Sequence, residues 1–123
     1  MLKALLLVGV GSMIGGCMRY LIAFFLTRYF PVAFPVGTFT VNMLGCLLIG
    51  IVYGWSHRYN WINEDIKIFL TTGICGGFTT FSALAFEGVA LFKNGYTLTP
   101  VAYLVMSLLG GLLLVVAGIK IAQ

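Results

Sequence analysis

Charge is what this chain has least of: 123 residues carry seven Lys and Arg, three Asp and Glu and one His, 8% charged in all. A soluble domain draws about a quarter of its residues from Asp, Glu, Lys and Arg, so this composition cannot build a water-facing surface. The formal charge of +4 comes from scattered residues rather than a basic tract, which excludes a nucleic-acid partner. Histidine is nearly absent, and the three cysteines at 17, 46 and 75 match neither a zinc motif nor a disulfide framework. They read as small packing residues. There is no phosphate-binding loop, no nucleophile beside a base and no cluster of metal-ligating side chains. Nothing in the chain points to an enzyme.

What is present is apolar. Hydrophobic residues make up 61% of the chain and mean hydropathy is +1.09. Uncharged stretches at 4–18, 32–55, 68–86 and 94–119 are long enough, or nearly so, to cross about 30 Å of hydrocarbon. They predict an all-α membrane protein: one transmembrane domain over 1–123, with helices at about 2–25, 34–56, 67–92 and 99–121. Arg19 and Tyr20 follow the first stretch with no polar linker or small-residue cleavage site, so that stretch is expected to be a retained helix rather than a signal peptide.

Four spans put both termini on one side. Lys3, Arg58, Lys67 and Lys120 would lie there, against Arg28 and Lys93 opposite. The bias is slight. It is compatible with insertion in both orientations, hence an antiparallel dimer, and equally with one orientation and cytoplasmic termini. The connection HRYNWINEDI at 57–66 reads as a solvated loop with Trp61 as an interfacial anchor, and NGYTLTP at 94–100 as a turn followed by a helix capped by Thr99 with Pro100 at its first position. Glycines recur four apart at Gly11 and Gly15, Gly50 and Gly54, Gly73 and Gly77, a spacing that lets helices pack closely in lipid.

Within this apolar background a few polar residues stand out. The run TTGICGGFTTFS, 71–82, places three glycines and five hydroxyls inside the third span, and predicts a break there. Backbone freed at bilayer depth must face protein, water or an ion, so the segment is a candidate ion site. On the second helix Thr38, Asn42 and Gly45 share one face. Asn42 either offers its amide to an anion or forms an interhelical hydrogen bond. Phe78 and Phe81 adjoin the break, and their ring edges carry positive potential suited to a small anion. Thr79 and Ser82 repeat the same spacing. Glu87 follows on the same helix, and Tyr103 and Ser107 set hydroxyls on one face of the fourth. Arg19 either snorkels to the interface or raises the positive potential at a pore mouth.

Three segments, GSMIGGCMRY (11–20), GTFTVNMLGC (37–46) and GICGGFTTFS (73–82), closely resemble the signature segments of the CrcB/Fluc fluoride channels, in the same order and on the same helices. The resemblance covers nearly the whole chain, and departs where Ser12 and Gly16 stand for other small residues. It implies an antiparallel, dual-topology homodimer in the bacterial inner membrane, with two pores that let fluoride leave the cytoplasm passively. It further implies that Phe78 and Phe81 line the fluoride path with Asn42 as donor. Thr38, Thr80, Ser82, Tyr103 and Ser107 fall at pore or near-pore positions, and Arg19 matches the arginine of the first motif. A structural sodium ion is implied at the dimer centre, on the backbone carbonyls of Gly73 and Gly76. The rivals are a small multidrug-resistance-type transporter, which needs an acidic residue in the first helix that this chain lacks, and a non-transporting membrane assembly subunit.

Overall fold

The computed structural model describes residues Met1–Gln123. Four helical spans account for almost all of it: α1 (Leu2–Tyr29), α2 (Val36–Arg58), a composite third span (Glu64–Lys93) and a last helix (Leu98–Ala122). Each is long and apolar enough to cross a membrane. The third span opens with α3 (Glu64–Ile68), widens into a π-helical stretch (Phe69–Cys75), returns to a single turn, α4 (Gly76–Phe78), and resumes as α5 (Phe81–Lys93). The last helix is α6.

Local end chemistry around the second connection shortens the loop expected at 57–66. His57 and Arg58 form the last turn of α2, where basic side chains suit the helix dipole. Asn63 then starts the third span early: its side chain accepts the Ile66 N–H at 3.0 Å, with Glu64 and Asp65 in the first turn. Only Tyr59–Asn63 remain as loop. The third connection ends α5 in a Schellman turn, Tyr96 N–H to Leu91 O at 3.1 Å, with Gly95 at φ +91°. The expected cap at Thr99 is not used. The last helix begins a little earlier, at Leu98, and Pro100 sits buried in its first turn.

Small residues bring the helices together, as their spacing predicts. Gly11 and Gly15 of α1 face the first half of the third span. A Cβ on Gly11 would lie 2.8 Å from Gly73 Cα, and one on Gly77 would lie 2.8 Å from Ser12 Cα. A second seam joins α2 to α6, where a Cβ on Gly118 would lie 2.5 Å from Leu47 O. Dispersion between closely approaching backbones drives such contacts in lipid. At one end Lys3 pairs with Asp65, and the Arg58 guanidinium donates to the Gln123 carbonyl at 3.5 Å, so the chain termini and the second connection share a side.

The glycines of 71–82 stay helical. Gly76 has φ −63° and ψ −40°, and the residues with extended backbone are Thr79 (φ −96°, ψ 160°) and Thr80 (φ −153°, ψ 115°). The physical reason is packing: Gly73 and Gly77 are held against α1 as helix, whereas β-branched threonines accept extended backbone readily.

Gly118→Ala is expected to destabilise the fold by about 1–3 kcal/mol, because a methyl would meet α2 backbone that cannot yield. Gly9→Ala, where nothing lies within 4 Å, serves as its control. Thermal unfolding in detergent measures both, and equal melting temperatures would refute the seam.

Candidate functional site

Two extended residues inside a membrane span interrupt the i→i+4 ladder, so each freed backbone group needs another partner. Neighbouring helices supply them. Asn42 of α2 uses both ends of its amide on Thr80: Oδ1 accepts the Thr80 N–H at 2.7 Å and Nδ2 donates to the Thr80 carbonyl at 3.1 Å. Arg19 of α1 donates through Nε to the Gly77 carbonyl at 3.0 Å. The threonines add local bonds. Thr79 N–H and Oγ1 both donate to Cys75 O, at 3.0 and 2.9 Å, and Thr80 Oγ1 caps α5 by accepting the Ala83 N–H at 3.2 Å.

The two carbonyls singled out for a cation differ. In a continuous helix Thr80 N–H would serve Gly76 O, but Asn42 has taken that donor. Gly76 is exposed, and its oxygen is left without its helical partner. Gly73 is buried against α1, and its oxygen accepts from the Gly76 N–H and from Ser12 Oγ at 3.4 Å.

Beside the extended pair lies an open groove of about 390 Å³ between α2, the third span and α6, walled by Asn42, Gly76, Thr79, Thr80, Phe81 and Ser107 among others. Ser107 is 7% exposed and its Oγ has no hydrogen-bond partner. That hydroxyl is free to donate. Phe81 is 79% exposed while Phe78 is 3% exposed, so the two rings leave the helix on opposite sides, one outward and one into the chain. Ser82 lies at the exposed edge, 3.3 Å from Thr80 Oγ1.

A second polar cluster lies farther along. Thr38 Oγ1 donates to Glu87 Oε1 at 2.7 Å, and Tyr103 OH donates to Glu87 Oε2 at 2.8 Å. Glu87 is thus the acceptor for two buried hydroxyls, which explains how a carboxylate is tolerated within a span. Tyr103 is 0% exposed, held in place by Phe34 at a ring-centroid distance of 5.3 Å and 76° between planes. Glu87 also borders a cavity of about 430 Å³ with Arg28 and Tyr20 on its wall.

The structure therefore brings Asn42, Thr80, Phe81 and Ser107 to one groove. It sets Thr38 and Tyr103 on Glu87, and it turns Arg19 onto the end of α4. Sequence reasoning did not assign Ser12 or Thr79 a role and left the partners of Glu87 open. The threonine pair was visible in TTGICGGFTTFS, but which residues leave the helix depends on Asn42, which lies 38 positions earlier in the chain.

Residues 6–119 match the family described as "CrcB-like protein, Camphor Resistance (CrcB)". Among curated proteins, the chain is 42% identical to a "Fluoride-specific ion channel FluC" of Azobacteroides pseudotrichonymphae over 96% of this chain and 94% of that protein. It is 42% identical to one of the same name from Phocaeicola vulgatus over 99% and 100%, and 41% identical to one from Clostridium perfringens over 96% and 92%. These relatives carry channel names, a non-enzymatic activity. With the matched region taking in most of every span and likeness running nearly end to end, the chain belongs to the CrcB family.

Proposed function

We propose that this protein is a fluoride channel, the activity that its relatives' names carry. The observation that supports it best is the extended pair at bilayer depth, clamped by Asn42 beside a groove of neutral donors and ring edges. Fluoride is small and strongly hydrated, so a path must replace its water with several donors and still release it. Neutral groups meet both needs. Asn42 Nδ2 keeps a second hydrogen after serving Thr80, Ser107 Oγ has no other partner, and the exposed ring of Phe81 presents an edge. Arg19, with its Nε on Gly77, keeps its remaining N–H groups and full charge to attract anions.

The same reading makes the unit a homodimer. One chain alone does not enclose the groove, and Phe81 on its wall is left 79% exposed. A second, antiparallel copy covers the groove and gives two equivalent paths. Thr38, Thr80, Ser82 and Tyr103 continue the polar lining. Passive efflux down the gradient from the cytoplasm of a bacterial cell, across its inner membrane, is the physiological direction.

A sodium ion at the dimer centre belongs to this proposal as a structural element. Backbone carbonyls suit a hard cation without an acidic side chain. The oxygen of Gly76, deprived of its helical donor, fits that role. The oxygen of Gly73, which already takes two donors, is the weaker half of the pair.

Purified protein in liposomes, with fluoride and chloride efflux followed by ion-selective electrodes, tests the channel. Fluoride release with chloride retained is expected, and no release of either ion would return the transporter and the assembly subunit to the front. Phe81→Ile is expected to cut fluoride flux while leaving the dimer's elution unchanged; flux equal to the parent's would remove the ring edge from the path. Asn42→Asp sets a carboxylate against the Thr80 carbonyl and removes a buried donor, a loss of about 1–3 kcal/mol together with a fixed negative charge in the path. Flux should fall to background in the same assay, and parental flux would make this residue dispensable.

A further inference from the structure

Three sulfur atoms on the wall of the same groove take no part in the fluoride path. Met43 and Cys46 come from α2 and Cys75 from the π-helical stretch, and all three line the cavity. Both cysteines are free thiols. Met43 and Cys46 meet over Gly111 of α6: a Cβ on Gly111 would be 3.1 Å from Cys46 Sγ and 3.8 Å from Met43 Cε, and one on neighbouring Gly110 would be 3.1 Å from Met43 Sδ. The third sulfur is brought level by helix register. Helix α2 and the third span run antiparallel, with Asn42 bonded to Thr80 and Gly45 against Thr79. One turn farther along, Cys46 faces the turn that carries Cys75 and Gly76.

We infer that Met43, Cys46 and Cys75 form a binding site for one soft monovalent cation of the Ag⁺ or Cu(I) class. Thiolate and thioether donors select such ions over hard ones such as sodium. The surroundings set the stoichiometry of protons. Most of the groove wall is apolar, and a charge taken from water into it must be neutralised. As the ion binds, one thiol gives its proton to solvent and a sulfur–metal bond replaces the S–H bond. One thiolate on one monovalent cation leaves the complex uncharged. The second thiol and the Met43 thioether complete the coordination as neutral donors, and no electron is transferred. Because Thr79, Thr80 and Phe81 border the same groove, an ion seated there obstructs the fluoride path. Only that obstruction rests on the channel reading; the binding does not.

The test uses the full chain in detergent with the exposed Cys17 replaced, Cys17→Ser, titrated with silver nitrate in chloride-free buffer and followed by native mass spectrometry and proton release. One Ag⁺ per chain and one proton per ion are expected, with that ion lost in Cys46→Ser and in Cys75→Ser and bound more weakly in Met43→Leu. Should a serine variant fail to fold, the site is read in the otherwise unsubstituted protein instead, where silver should protect Cys46 and Cys75 from alkylation as measured by peptide mass. Unprotected thiols, two protons per ion, or binding unchanged in both serine variants would overturn the site. In liposomes, silver should abolish fluoride efflux through Cys17→Ser protein and spare Cys46→Ser. Binding without inhibition would keep the metal site and count against the groove as the fluoride path.

Discussion

Hydrocarbon offers no hydrogen bonds, and this constraint governs the rest of the structure. Two extended residues at Thr79 and Thr80 remove helical partners from several backbone groups, each of which costs several kcal/mol if left bare in lipid. The chain answers with side chains from other helices. Asn42 takes both backbone groups of Thr80, Arg19 takes the carbonyl of Gly77, and Thr80 Oγ1 takes the N–H of Ala83, while the Gly76 carbonyl keeps no helical donor. Remove Asn42 and the Thr80 N–H has its nearest natural acceptor at Gly76 O, which is the bond of a continuous helix.

Such reach requires that the helices approach closely and hold their register. Asn is a short side chain, and it touches Thr80 only because Gly45, one turn later, lets α2 come up against Thr79 and Phe78. Ser12 and Arg19 meet the third span along the face where Gly11 and Gly15 of α1 lie on Gly73 and Ile74. Small-residue seams and polar clamps are therefore one device. The seams set helix separation by van der Waals contact, and the clamps convert that separation into a defined backbone path.

Much of this was legible in the sequence. Uncharged runs announced four spans because length and hydropathy alone decide what lipid accepts, and four-residue glycine spacing announced the seams. Helix ends were less legible: Asn63 starts the third span earlier than hydropathy suggests, since a cap acts through one side chain that a hydropathy window averages away. Glu87 looked out of place in a span. Its tolerance depends on Thr38 and Tyr103, 49 and 16 residues distant, a meeting that no local pattern encodes.

Taken alone, the sequence determined that the chain is an all-helical membrane protein, which of its faces are small or polar, and which segments resemble the CrcB signatures, because these are properties of composition and of period along one helix. Only the tertiary structure decided that two threonines rather than three glycines leave the helix, that Asn42 serves backbone first, and that Phe78 points inward while Phe81 points out. Those outcomes depend on which donor captures the Thr80 N–H, and that competition is settled between helices distant in the chain, where only their packing brings donor and acceptor within reach.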